Sequence, residues 1–431
     1  MSGPSSRRER ARRLFVDLEP LRRDRDYRWI WGGQAINGIG TQITRIALPY
    51  QVYVLTGSTL AIAALTLVQL VPILVFALGA GTVADAVDRR KLLLLTQFGL
   101  LLCSAALVIL SLVPAPPLAG LFAVAFVAAG IASIDQPARS ASVARLVPPE
   151  RLPAAIALNQ LNFQSASVIG PAIGGVLIAT VGLSGAYLVD ALSFVASLIA
   201  IWAIAPLPPL GAAARPGLAA IREGLRFVAS RRVILSTFVI DLNAMVFGMP
   251  TSLFPALALD VFRVGPGGLG LLAAAPAAGA FLGALLSGWV STTRRIGVGV
   301  IVAVAVWGLA IALFGLSVFS FPLALAFLAI AGAADVISAV FRSTIVQLET
   351  PDQLRGRVTS IHILVVTSGP RIGDIEAATV ASVVGTQVSV VSGGILCVIG
   401  VVVVARLFPE LAAHVPRHRG PGQGLREPGK R

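Results

Sequence analysis

Apolar stretches recur along this chain, each cut off from the next by a short polar or charged island. Leu60 to Val83 holds no ionisable residue, and Leu92 to Ile134 holds none apart from the thiol of Cys103. A helix rising about 1.5 Å per residue needs about 20 apolar residues to cross roughly 30 Å of hydrocarbon. The pattern predicts twelve such spans, at residues 27–55, 58–84, 91–113, 117–139, 154–181, 184–206, 232–259, 265–291, 296–317, 320–343, 357–384 and 386–408. Trp29 and Trp31 open the first span, where amphipathic rings favour the membrane interface. The expected fold class is an all-α polytopic membrane protein, with twelve transmembrane helices in two six-helix pseudo-repeats.

The islands are mostly too short to fold by themselves, as at Thr56–Gly57, Gly182–Leu183 and Gly385. The longest link follows Pro206-Leu-Pro-Pro209 and carries Arg222, Glu223, Arg226 and Arg231. Its stretch 217–230 has the pattern of an amphipathic helix lying on a membrane surface. The expected division is an arm (1–26), a first bundle (27–206), a linker (207–231), a second bundle (232–408) and a tail (409–431). The bundles echo one another. Arg139-Ser140-x-x-Val143-x4-Pro148 leaves span four as Arg342-Ser343-x-x-Val346-x4-Pro351 leaves span ten. Gly170-Pro171-Ala-Ile173-Gly174-Gly175 in span five is matched by Gly369-Pro370-Arg-Ile372-Gly373-Asp374 in span eleven. Parallel repeats of this kind place a binding site between the halves, near the membrane midplane.

Composition supports the membrane reading and charge adds its direction. Of 431 residues, 56% are hydrophobic and only 13% charged, against about a quarter charged in soluble domains. The net charge of +14 could suggest a nucleic-acid partner. Yet of the 34 Lys and Arg, all but Arg45, Arg263 and Arg371 fall on segments that share one side of the membrane. That is the positive-inside pattern, with both termini cytoplasmic in a cell inner membrane and no nucleic acid bound. Cys103 and Cys397 lie in apolar runs and read as packing residues, and three His make a metal centre improbable. Residues 1–28 are basic but lack the apolar core of a leader peptide. No phosphate loop, nucleophile triad or metal-ligand spacing is present. The expectation is therefore no enzyme, no cofactor and no metal, in a monomer whose partners are the lipid bilayer, protons and a small-molecule substrate.

Candidate chemistry lies in one island and in charges inside spans. The island is Gly81-Thr-Val-Ala-Asp85-Ala-Val-Asp88-Arg89-Arg90-Lys91, expected on the inner face. Asp85 there can meet the N-terminus of span eleven, worth about 0.3–1 kcal/mol to a carboxylate, and Arg89 and Arg90 can pair with Asp135 or Glu150. A solvated topology anchor is the plainer reading. Within span one, Asn37, Thr41 and Arg45 follow at i, i+4 and i+8, the stripe expected of a cavity-lining helix. In span eleven, Arg371 and Asp374 are three apart and can pair, while Glu376 points away from Arg371. Arg45 and Arg371 together would suit an anionic or catecholate molecule; alternatively Arg371–Asp374 is a self-satisfied structural pair and Arg45 a structural partner. Asp241, near the middle of span seven, and Glu376 have no cation at i±3 or i±4 and are candidates for proton coupling. Asn159, Gln160, Asn162 and Gln164 in span five could bind cargo or neighbouring helices. Gly170, Pro171, Gly174 and Gly175 are read as a helix-bend and close-packing motif. Asp190 reads as structural, near the outer interface, and spacing assigns Asp335 no role.

The island resembles the signature loop of the major facilitator superfamily, Gly-x-x-x-Asp-Arg-x-Gly-Arg-[Lys/Arg]. Gly81, Asp85, Arg89 and Arg90 match, while Ala86 and Asp88 stand where Arg and Gly are usual. The Gly-Pro-x-x-Gly-Gly of span five is similar to a motif common in the superfamily's antiporters, with Ala166 in place of a Gly. Asp190-Ala-Leu-Ser-Phe194, Glu223-Gly-Leu-Arg-Phe-Val-Ala-Ser230 and Thr350-Pro-Asp-Gln-Leu-Arg-Gly-Arg-Val358 resemble its siderophore and drug efflux branch. The resemblance implies secondary active efflux of a small organic molecule by rocker-switch alternating access, with proton antiport. Alternatives are a broad-specificity drug (multidrug resistance) pump, an importer on the same fold, or a non-transporting membrane receptor or scaffold. It also implies that the loop closes the cytoplasmic side in the outward-open state. Asp85→Asn is then expected to slow transport several-fold in proteoliposomes with membrane insertion intact, and wild-type rates in that variant would remove the gate.

Overall fold

In the computed structural model the described residues are 17–77, 87–208 and 218–414. Among them the regular structure is entirely helical, as a lipid-embedded backbone with no water to bond requires. Twelve long helices run in the predicted order. They are α1 (Arg25–Thr56), α2 (Thr59–Ala77), α3 (Arg89–Leu112), α4 (Leu118–Leu146), α5 and α6 (152–181 and 183–202), α7 (Arg232–Phe247), α8 (Gly265–Leu286), α9 (Ile296–Leu316), α10 (Phe321–Glu349), α11 (Arg355–Val384) and α12 (Thr386–Leu407). Nine helical stretches are long and apolar enough to cross a membrane by length and composition, α5–α6 counting as one and α7 counting with the turns that follow it to Val261. The two that fall short are α1 and α11, which carry Arg45, Arg371, Asp374 and Glu376.

The repeat continues in the turns. Gly182 (φ 76°) separates α5 from α6, and Gly385 (φ 91°), 203 residues on, separates α11 from α12. Both occupy the positive-φ region where a Cβ would clash. Three expectations need correction. Helices α4 and α10 continue to Leu146 and Glu349, past the expected ends at 139 and 343. Arg139 and Arg342 therefore lie inside helices and are buried rather than solvated at a boundary. Span seven reaches Val261 but is not one continuous helix. Its first helix stops at Phe247, and Gly248-Met249-Pro250, whose Pro has no N–H to donate, leads into a 3-10 turn Thr251–Leu253, a helical turn Phe254–Ala256 and a π-turn Leu257–Val261. Trp31 does not sit as an interface ring, because its Nε1 donates to the Leu158 carbonyl at 3.1 Å and fastens α1 to α5.

The linker forms a helix over Leu218–Ser230. Its Val228 packs with Phe238 of α7 and with Val358 and Ile361 of α11, and Glu223 pairs with Arg357. Arg222 and Arg226 are exposed. Among the described residues, the hydrogen bonds and closest approaches joining the first six helices to the last six gather at the end remote from this linker. Tyr53 donates to Asp260 of the π-turn, and Thr59 Oγ1 donates to the Ala378 carbonyl at 3.4 Å. Helices α5 and α8 touch backbone to backbone. A Cβ on Gly175 would lie 2.6 Å from the Pro266 carbonyl oxygen and 2.9 Å from Gly270 Cα, and one on Gly270 would lie 2.5 Å from the Pro171 carbonyl oxygen.

That approach admits no side chain without separating the two helices, and overpacking costs about 1–3 kcal/mol. Gly270→Val is expected to shift the population by about ten-fold or more toward a state open at this end. The measurement is the distance between spin labels at the exposed positions Thr56 and Arg263. A distribution unchanged from the parent would show that the α5–α8 contact does not hold this end shut.

Candidate functional site

Arg45 and Arg371 come from opposite halves of the molecule. Arg45 is solvent-exposed on α1 and lies close enough to Asp374 and Arg371 of α11 for their charges to interact. Thr41 and Gln160 are also exposed. Gln42 donates from Nε2 to Ser167 of α5 at 2.8 Å, and its Oε1 accepts a long contact of 3.5 Å from Arg45. Helices α1, α5 and α11 thus bring two guanidinium groups, hydroxyls and amides together between the halves.

Asn37 does not belong to this group. Its Nδ2 donates to Gln97 of α3 at 3.2 Å, and its Oδ1 accepts from Ser193 of α6 at 3.1 Å. Each step of four residues turns a helix by about 40° beyond a full circle, so i and i+8 differ by about 80°. Asn37 therefore faces the interior of its own half while Arg45 faces the other. Asn159 accepts from the Tyr27 hydroxyl at 3.1 Å, and Asn162 Nδ2 donates to the Trp31 carbonyl at 3.3 Å. Both join α5 to α1.

The pairing expected of Arg371 with Asp374 is also replaced. Among the described residues no ion pair within 4 Å joins them; Arg371 donates to the Thr367 carbonyl. Asp374 Oδ1 instead accepts from Thr251 Oγ1 and from the Ser252 amide, both at 2.7 Å, while Ser252 Oγ donates to the Asp374 carbonyl at 3.0 Å. The carboxylate satisfies the backbone exposed by the break in span seven. Glu376 is half-buried and makes no hydrogen bond or ion pair among the described residues. Asp241 has a cation after all, on another helix: its Oδ1 lies 2.8 Å from Arg342 Nη2 of α10. Spacing along α7 could not show that partner.

Gly81 and Asp85 lie outside the described residues, as does any contact of Asp85 with α11. Asp88 caps α3, its Oδ1 accepting from the amides of Arg90 at 2.9 Å and Lys91 at 3.2 Å. Arg90 donates to the carbonyls of Ile201 and Trp202 at the C-terminus of α6, and Arg89 Nη1 donates to the Ala141 carbonyl at 3.0 Å. A cation at a helix C-terminus is favoured by the free carbonyls there. Asp135 is not a partner of Arg90, because it already holds Arg139 (3.2 Å), Thr96 (2.6 Å) and Gln97 (3.0 Å). Gly170 and Gly174 lie against α1, at Gln42 and at Ile43–Ile46, while Gly175 and the Pro171 carbonyl face α8. The motif packs one helix against two neighbours.

Buried groups that sequence reasoning placed elsewhere are Asp135, Arg139, Arg342 and Asp190. Asp190 is 2% exposed and accepts from Thr44 and Ser104, well inside the first half. The repeat had marked Arg139 and Arg342; their i−4 neighbours, Asp135 and Ser338, were the signal that they belonged inside helices.

A family model described as transmembrane secretion effector, of the major facilitator type, matches residues 16–427. The chain belongs to this family. The enterobactin exporter of Citrobacter koseri is 27% identical over 407 residues, covering 94% of this chain and 96% of the relative. The fold matches a bacterial homologue of the human lysosomal transporter Spinster in an inward-facing, unoccupied conformation (TM-score 0.72, 16% identity, 90% of this chain and 98% of that one). It also matches a POT family transporter in complex with 5-aminolevulinic acid (TM-score 0.71, 13% identity, 90% and 97%). The protein is a multi-pass membrane transporter of the efflux type, and its relatives are transporters rather than enzymes.

Hydrogen bonds to a charged group are worth about 1.5–3 kcal/mol each. Asp374→Ala removes two and is expected to cost about 3 kcal/mol or more, read as a fall in melting temperature in detergent. Asp374→Asn keeps an acceptor oxygen and should lose less than half as much; equal melting temperatures for the two variants would contradict the capping role.

Proposed function

We propose that the protein exports a small anionic organic molecule, a catecholate siderophore being the best fit, by alternating access in exchange for protons. The observation that carries the reading is the approach of Arg45 and Arg371 from opposite halves, within electrostatic reach of one another. A cation within a membrane span is a functional candidate by default, and two of like sign brought within reach of one another call for an anion. Asp374 is engaged by the Thr251–Ser252 turn, which leaves the guanidinium groups available to cargo. The relative's printed name, an enterobactin exporter, supports the same class of molecule.

The division at the 207–231 linker, with the linker end and both termini in the cytoplasm, completes the proposal. The halves then meet at the outer end, so the site is open inward and ready to load. Loss of the Tyr53–Asp260 and α5–α8 contacts would open the outer end, with the Gly81–Lys91 loop closing the inner one. Asp241 and Glu376 are the proposed coupling carboxyls. The cargo moves as a single small molecule through a monomer.

Proteoliposomes loaded with the full chain, an imposed pH gradient, and enterobactin or tetraphenylphosphonium as probe test this reading. Expected is uphill movement of enterobactin that collapses with a protonophore. Arg45→Ala and Arg371→Ala should each lower its rate by about ten-fold, about 1.4 kcal/mol. The double variant Asp241→Asn, Glu376→Gln should retain downhill exchange and lose the uphill component. Movement of tetraphenylphosphonium in place of enterobactin would overturn the anion reading.

A further inference from the structure

Arg139 and Arg342 occupy matched positions of the two halves, 203 residues apart, and both are buried. Their surroundings differ. One turn earlier the first half has Asp135 and the second has Ser338. Arg139 Nε meets Asp135 Oδ2 at 3.2 Å, whereas Arg342 Nη1 donates to Ser338 Oγ at 2.9 Å. Among the described residues the first-half site holds one acid for one cation; Asp135 also accepts from Thr96 and Gln97, while Nη1 and Nη2 of Arg139 are buried without a hydrogen-bond partner.

The second-half site holds two acids for one cation. Asp241 Oδ1 of α7 lies 2.8 Å from Arg342 Nη2, and Asp335 Oδ1 of α10 lies 3.9 Å from the same nitrogen. From α11, His362 faces the group: its ring packs edge-on against Phe238 of α7 at 6.0 Å, and its charge would act on Asp241 and Arg342. With His362 neutral, two carboxylates and one guanidinium sum to one negative charge, and one bound proton brings the site to neutrality. Such a pair of acids titrates as a unit. Its members are not equivalent in access. Asp241 and Arg342 side chains are 2% and 5% exposed, while Asp335 keeps 35%. The Asp241–Arg342 contact is the closer one, so Asp335 is the member that water reaches.

We propose that Asp335 is a proton-binding residue of the transport cycle, held against the Asp241–Arg342 pair, and that Asp135–Arg139 is its structural counterpart without a transferable proton. The proposal rests on the proton-exchange reading above and adds to Asp241 and Glu376 a third carboxyl, the one that exchanges its proton with water. In a state closed at the end remote from the linker, the proton exchanges with water at the linker end. The O–H bond of the Asp335 acid breaks, the electron pair stays on the carboxylate, and water takes the proton. Arg342 is then shared between Asp335 on its own helix and Asp241 on α7. Proton release thereby changes the tie between α7 and α10, while the charge-balanced first-half pair is unaffected.

Infrared difference spectra of the full chain in nanodiscs, taken across a pH titration, test this directly. The readout is the carbonyl stretch of a protonated carboxylic acid, which needs no cargo. Wild-type protein should show a band that titrates, and Asp335→Asn, which leaves the Asp241–Arg342 pair intact, should lose that component entirely. Asp335→Glu should restore a titrating band at a shifted midpoint, which a merely structural role would not produce. A titrating band of wild-type size in Asp335→Asn would overturn the proposal, as would its loss in both variants with both proteins folded and monodisperse. The coupling reading fails separately. If the band behaves as expected but a pH gradient drives no uphill movement of enterobactin in wild-type proteoliposomes, Asp335 binds a proton that transport does not use.

Discussion

A guanidinium or carboxylate taken out of water must find an opposite charge or a set of hydrogen bonds, and the buried charges of this fold are placed by that demand. A single buried charge costs several kcal/mol if left alone. Arg139 meets Asp135 along its own helix, Arg342 meets Asp241 on a neighbouring one, and Asp374 gathers two donors from a broken helix. Arg90 uses free carbonyls at the end of α6. These contacts tie helices together within each half, where lipid supplies no hydrophobic force to do so. Arg45 is placed differently. Its nearest hydrogen-bonding partner is Gln42 at 3.5 Å, and its electrostatic partners lie across the interface between the halves. A charge satisfied within one half stabilises that half in every state; one facing across the interface takes part in whatever the interface does.

The same demand explains what could be read from the chain alone. Hydropathy is a property of long windows, so twelve spans and the two-half layout were legible, and the one-residue turns at Gly182 and Gly385 came with them. Partner choice is a property of three-dimensional neighbours, and there the reading was partial. Spacing on α7 showed no cation near Asp241, because Arg342 is about a hundred residues away along the chain. Spacing on α11 put Arg371 beside Asp374, but the Thr251–Ser252 turn competed better, offering two donors held by a backbone that has no other use for them. Asn37 was drawn into the Arg45 stripe by a period of four that real helices do not keep. Arg139 and Arg342 were placed at boundaries because an arginine ends an apolar window, although each was already partnered inside its helix.

Two halves built from one plan are not obliged to do one job. The matched turns and the matched arginines show the plan, and the contents of the sites show its divergence. Where Gly175 in α5 allows α8 to approach, the corresponding residue of α11 is Asp374, which turns toward the break in span seven instead. Where the first half balances Arg139 with Asp135, the second has moved its acids to positions 241 and 335. In both comparisons the second half carries an acid that the first half lacks at the matching place. A charge-balanced site suits a scaffold, and a site with surplus charge suits a moving part.

Helix α11 is where these features converge. Its first turns hold the linker helix through Arg357 and Ile361, and the next residue, His362, lies within electrostatic reach of Asp241 and Arg342. Arg371 then lies within electrostatic reach of Arg45, Asp374 holds the Thr251 turn, and Ala378 accepts from Thr59 at the end where the halves meet. One helix that touches the linker, the charged group, the inter-half site and the seal couples movements at these points. Pro370 lies inside it, between His362 and Arg371, and removes one main-chain hydrogen bond at that point. The part of α11 that follows the linker can therefore bend against the part that follows the seal. That division falls between the group that would release a proton and the pair that would hold an anion, which is where an exchanger must keep its two ligands distinct while moving them with one element.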